Sequence, residues 1–136
     1  MRVYRRFKTK YEYENYLDAI KNVKHRILLT RLRISNHSLE IERGRHQRPY
    51  VTPENRVCRS CKNETEDEFH FLIRCPTYQK LREAFFMQMK KEGNFNSDQI
   101  SENEIFLRLI NPKHNAQEVA KYIADCLELR NRTIPR

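Results

Sequence analysis

Tryptophan is absent from this chain of 136 residues, and glycine occurs only twice. A many-stranded sandwich or barrel needs positive-φ residues at regularly spaced turns, and two glycines do not supply them. Long hydrophobic runs are also missing. The aliphatic stretches at 27–29 and 72–73 are far shorter than the roughly 18 residues of a membrane span. The opening Met-Arg-Val-Tyr-Arg-Arg leads into no apolar segment of the signal-peptide kind. The expectation is a soluble, intracellular chain, nuclear or cytoplasmic, with no membrane partner. Apolar material is scarce as well: 38% of residues are hydrophobic and the mean hydropathy is −0.92. The length suits one domain. The composition favours helices, with something besides burial helping to hold them.

What the chain has in excess is positive charge, 27 Lys and Arg against 18 Asp and Glu, for a net +9. Its placement is uneven. Residues 1–50 carry 13 basic and 5 acidic side chains (+8), residues 51–75 carry 4 and 5 (−1), and residues 76–136 carry 10 and 8 (+2). The first third is therefore a candidate surface for a polyanion, although a solvated helix face explains the same balance.

Apolar residues at three- and four-residue steps, among them Tyr16, Leu17, Ile20, Ile27, Leu28 and Leu32, predict one amphipathic helix over 11–33. Polar residues 35–38 break it. Residues 39–43 alternate and suit either a short strand or a helical turn, and 44–55, with Pro49 and Pro53, form an exposed loop. Thr65-x-x-Glu68 has the capping-box pattern and predicts a short helix from about Glu66. Pro76 opens a helix that buries Tyr78, Leu81, Phe85 and Met89 and stops at Gly93. Residues 94–103 read as a polar connector. Two more helices follow, one on Ile105, Phe106, Leu109 and Ile110, the other on Val119, Tyr122, Ile123, Cys126 and Leu127.

Three of the four cysteines stand in the arrangement Cys58-x2-Cys61-x8-His70-x4-Cys75. Zinc takes four thiolate or imidazole ligands in a tetrahedron, and a Cys-x-x-Cys turn delivers two of them to one ion while a separate element closes the site. The expectation is one structural Zn²⁺ held by Cys58, Cys61, His70 and Cys75. A redox Cys58–Cys61 disulfide and unliganded thiols remain as competing readings. Four protein ligands leave no open position for water or substrate, and the deaminase order of His-x-Glu before Cys-x-x-Cys is absent. No catalytic residues are assigned, and the chain is not expected to be an enzyme. Cys126 lies on an apolar helical stripe and reads as a core thiol. His25, His37, His46 and His114 read as surface histidines.

The string Leu-Leu-Thr-Arg-Leu-Arg-Ile-Ser-Asn-His at 28–37, then Cys-x-x-Cys, the acidic run 64–68 before His70, and Cys75-Pro76-Thr77-Tyr78 followed by Arg82 resembles the zinc-binding segment near the C-terminus of reverse transcriptases of LINE-type, non-long-terminal-repeat retrotransposons. The resemblance covers about residues 25–90. It departs from the family at 34–37, where a Gly-His is frequent, and no Tyr-x-Asp-Asp polymerase motif occurs. It implies a CCHC zinc module separated from its polymerase, with nucleic acid, DNA or RNA, as partner, and the rest of a reverse transcriptase as another.

The combined expectation is a mainly α, small helical domain over 1–136 with a zinc-clamped CCHC loop and room for one short β-hairpin. It comprises a basic helical segment at 1–50, the zinc-binding segment and following helix at 56–92, and a C-terminal helical segment at 104–130. Phosphate contacts fall to Arg31, Arg33, Arg43, Arg45 and Arg48, with Arg56, Arg59 and Lys62 next; Tyr50 suits stacking on a base or ordinary packing. The alternative is a protein-interaction or scaffold module in which the zinc is purely structural.

Overall fold

A computed structural model describes residues 2–8 and 13–134. Among the described residues seven α-helices follow one another: α1 (Tyr4–Phe7), α2 (Tyr16–Ala19), α3 (Val23–Arg33), α4 (Glu40–Arg43), α5 (Gln79–Lys91), α6 (Glu102–Ile110) and α7 (Ala116–Thr133). Short 3₁₀ turns at Gly44–His46, Pro53–Asn55 and Pro76–Tyr78 and a π-helical turn at His70–Arg74 complete the helical content. Among the described residues, β pairing amounts to one isolated antiparallel bridge, Val57 to Thr65. The chain is mainly helical, as the scarcity of glycine implies.

The single helix expected over 11–33 is two helices. Residues 11–12 lie outside the described residues, and α2 ends at Ala19. Asn22 then takes an extended conformation, and its side chain accepts the His25 N–H at 3.1 Å, capping a fresh start for α3. Asparagine competes well at such N-caps, so a local hydrogen bond overrides the apolar period. The stripe is correspondingly incomplete: Tyr16, Ile20, Leu29 and Leu32 are buried, whereas Val23 and Ile27 are exposed. Helix α3 ends at Ser35, whose φ of 61° permits the paired terminal bonds Asn36 N–H to Arg31 O and Ser35 N–H to Leu32 O, the Schellman pattern.

The other helices follow their periods closely. Pro76 stands at the start of the turn that leads into α5, and α5 ends with Asn94 N–H to Met89 O and Gly93 N–H to Lys90 O. Gly93 has φ 76°. The expected connector 94–103 yields its last residues to α6, because Ser101 accepts the Glu104 N–H at 3.1 Å. Residues 39–43 resolve to the helical turn α4. Helix α7 runs along α3 and α5; Tyr122 stacks on Phe85 at 4.6 Å with an interplanar angle of 9°. Val119, Ile123 and Cys126 complete its buried side. Among the described residues no helix is long and apolar enough to cross a membrane.

Candidate metal centre

Two short pieces of irregular backbone present the four candidate ligands. The first is a narrow stem, closed by the Val57–Thr65 bridge and by Cys58 N–H to Glu64 O and Glu66 N–H to Arg56 O. Its tip turns at Lys62, where φ is 62° and the N–H reaches back to Cys58 O. That turn sets Cys58 and Cys61 side by side. The second piece is the π-helical turn. In an ordinary helix of 3.6 residues per turn, side chains five apart diverge around the axis. Here Cys75 N–H bonds to His70 O, an i to i+5 closure, and both side chains meet the stem. The widened turn exposes carbonyls that need donors. Arg82, buried, donates to Leu72 O at 3.0 Å and Cys75 O at 2.8 Å, and the Tyr122 hydroxyl adds a bond to Leu72 O.

The four ligand atoms lie within 4.8 Å of one another. Cys58 Sγ is 3.9 Å from Cys75 Sγ, and Cys61 Sγ is 3.4 Å from His70 Nε2. A tetrahedral ion with thiolates at about 2.3 Å and an imidazole nitrogen at about 2.0 Å requires edges of about 3.8 Å and about 3.5 Å. These two edges match, and the four donors lie close enough to hold one four-coordinate metal ion. All four cysteines are free.

The surroundings agree with that use. His70 presents Nε2 to the cluster and pairs through Nδ1 with Glu64 Oε2 at 3.1 Å, the carboxylate–histidine arrangement that orients a metal-bound imidazole. Burial alone lowers the His70 pKa, but hydrogen bonds with Cys58 and Glu64 outweigh it and raise it to about 9. The thiol hydrogen bond between Cys58 and Cys75 moves the pair apart, Cys75 down to about 7 and Cys58 up to about 11. Ligation needs thiolates and a neutral imidazole, so metal entry must expel protons from this cluster.

Carboxylates next to the ligands tie the centre to the rest of the molecule. Glu66 is fully buried; it accepts Arg130 of α7 at 2.7 and 2.9 Å and the Glu40 N–H at 2.8 Å. Glu68 accepts Arg2 at 2.7 and 2.8 Å and pairs with His37 Nε2 at 2.6 Å. The capping box expected at Thr65-x-x-Glu68 is not formed: Asp67 Oδ1 accepts the His70 N–H at 2.8 Å, which leaves Glu68 to Arg2 and His37. His37, expected at the surface, is half-buried, with its side chain packed against Glu68 and only 6% exposed. The acidic run 64–68 is the local signal for the roles of Glu64, Glu66 and Glu68, and Arg130, far along the chain, has none.

The candidate phosphate-contact residues divide. Arg31, Arg43, Arg45, Arg48, Arg59 and Lys62 are at the surface, Arg43 pairing with Glu40 at 3.2 Å and Arg45 with Glu42 at 2.8 Å. Arg33 and Arg56 are buried and hold the fold together. Arg33, 1% exposed, lies over the rings of Phe7 and Tyr16 and donates to Ile110 O. Arg56 donates to Ile41 O, Val51 O and the Tyr50 hydroxyl. It passes so close to Gly44 that a Cβ there would stand 2.6 Å from Arg56 Cγ. Arg56 thereby fastens the basic loop 43–50 to the stem that carries Cys58. Cys126 is buried in the core and is not one of the four clustered ligands, and burial pushes its thiol up to about 12. No family model, curated protein or solved structure matches the chain.

Proposed function

We propose that the chain is a zinc-stabilised nucleic-acid-binding module, non-catalytic by itself, of the kind its CCHC segment resembles in LINE-type reverse transcriptases. Zinc suits a centre of three thiolates and one imidazole, and four protein ligands leave it a structural rather than a catalytic role. The observation that carries the binding reading is the charge distribution, +8 in the first fifty residues, with Arg31, Arg43, Arg45 and Arg48 exposed there and Arg59 and Lys62 exposed on the metal-binding stem. Arg56 joins the two groups. Metal binding at the stem would thus hold the basic loop in one shape while long cationic side chains meet phosphates without regard to sequence. Tyr50, 59% exposed, adds a ring on which a base can stack.

Salt dependence tests the binding reading. Six phosphate contacts weaken affinity by about 10³ between 50 and 200 mM salt, and Arg48→Ala should lower the slope by about one contact. Binding that is absent, or indifferent to salt, sinks the proposal and favours a protein-interaction module. Elemental analysis tests the metal: one zinc per chain is expected, and another metal or none refutes that part.

A further inference from the structure

A cleft of about 620 Å³ opens on the molecule away from the metal centre, between α1, the end of α5, α6 and the α6–α7 connection. Its volume lies in the range of small-ligand sites. Its lining combines three chemistries. Phe7 and Phe95 supply rings, and both already carry guanidinium groups, Arg33 over Phe7 at 4.3 Å and Arg108 over Phe95 at 5.8 Å. Arg6, Arg108 and Lys113 supply permanent positive charge against the one lining carboxylate, Glu104, which Arg108 engages at 3.1 Å. Asn111 supplies an amide whose Oδ1 accepts from Arg33 at 3.2 Å, leaving Nδ2 as its donor group.

We propose that this cleft binds a nucleotide, with the base against the Phe7 and Phe95 rings, an acceptor on the base edge at Asn111 Nδ2, and the phosphate among Arg6, Arg108 and Lys113. Bases stack on aromatic and guanidinium planes, and a net positive lining selects an anion. A hydrocarbon tail would leave the amide without a partner, and inorganic phosphate would leave the rings uncovered. The same chemistry is offered by a free mononucleotide and by the phosphorylated end of a strand. The site shares no residue with the metal centre or the basic loop, so it stands independently of the function proposed above.

The test uses the full metal-loaded chain and follows backbone and aromatic resonances during titration with AMP and UMP. Saturable shifts centred on Phe7, Phe95 and Asn111 are expected, with adenosine weaker by about tenfold or more, since a bond to a charged group is worth about that factor, and ribose 5-phosphate weaker by a similar factor because it lacks the stacked base. Arg108→Ala and Lys113→Ala remove exposed cations and should each weaken AMP by about tenfold. Asn111→Asp keeps the acceptor for Arg33, so the fold is retained, while a carboxylate faces the ligand; it should abolish binding. A 5′-phosphorylated hexanucleotide that shifts the same resonances more strongly than its 5′-hydroxyl form identifies a strand end as the source, and equal, weak shifts identify the free nucleotide. The proposal is overturned if AMP leaves these resonances unmoved, if adenosine binds as well as AMP, or if Asn111→Asp has no effect. Loss of salt-dependent strand binding with intact AMP shifts refutes only the basic-loop reading.

Discussion

The segment around the candidate ligands and the pair of helices at the C-terminus both bury apolar side chains, Phe71, Leu72 and Tyr78 in the first, yet they differ sharply in buried charge. The first encloses Arg56, Glu66, Glu68, His70 and Arg82 beside Cys58 and Cys75; the second encloses Ile105, Phe106, Leu109, Ile110, Val119, Ala120, Ile123 and Cys126, with Arg130 as its buried charge. When a side chain of an apolar interior is cut, its neighbours can partly collapse around the gap. A buried charge or open carbonyl gains no such relief and costs several kcal/mol when its partner goes. The chain therefore combines a region that degrades gradually with one that depends on each of its partners.

Metal removal should break that contrast most visibly. Structural zinc sites in small peptides contribute on the order of 10 kcal/mol or more of apparent free energy, more than a marginal domain has to spare. Chelation is expected to lower the helical circular-dichroism signal, and hydrogen exchange should show residues 40–75 losing protection before α6 and α7. Unchanged protection over 56–75 in metal-free protein would end the argument that ligation holds this region. Acid should act in the same direction, since the thiols and His70 regain the protons that ligation removes.

Arg130→Ala comes next. It severs the bond between the two regions and strands the fully buried Glu66 carboxylate, so a loss of about 3–5 kcal/mol in denaturant unfolding is expected. An effect below about 1 kcal/mol, the scale of an exposed pair, would mean that Glu66 finds water or another cation and that the regions are not coupled through this contact.

Glu68 gives the comparison a pH signature. Burial by itself raises its pKa, but His37 and Arg2 outweigh it and hold the carboxyl down to about 2, against 4.5 for the free group. A depressed folded-state pKa stabilises above the unfolded value, and the contribution disappears as pH falls from about 4.5 towards 2. The shift amounts to on the order of 3 kcal/mol. The stability difference between the wild type and Glu68→Gln should shrink as pH falls below about 5. Metal loss in acid affects both proteins and cancels. A difference that does not change with pH would place the Glu68 contribution in packing rather than in charge.

The same division decides what the sequence could disclose. Periodic apolar stripes made α5, α6 and α7 legible, and the C-x2-C-x8-H-x4-C spacing made the ligand set legible, because both are local patterns. The break at Ile20–Asn22 was not, since one side-chain hydrogen bond at Asn22 beats a continuing period. The pairs Arg130–Glu66 and Arg2–Glu68 span 64 and 66 residues, and no local rule brings such residues together. For the same reason Arg33 and Arg56 looked like their exposed neighbours: composition counts an arginine as a surface charge, and only tertiary packing shows that these two serve backbone carbonyls.

The smallest effect belongs to the cysteine outside the cluster. Cys126 is 0% exposed on the apolar side of α7, and burial pushes its thiol to about 12, so in the folded protein it stays protonated and inert towards thiol reagents. Cys126→Ala removes one buried sulfur and should cost about 1–2 kcal/mol, the scale of a small core truncation. Metal stoichiometry should be untouched, whereas Cys58→Ala, which removes a ligand from the polar region, should abolish stable metal binding. If Cys126→Ala also lowered metal content, the fourth cysteine would belong to the centre, and the boundary drawn between the two regions would lie in the wrong place.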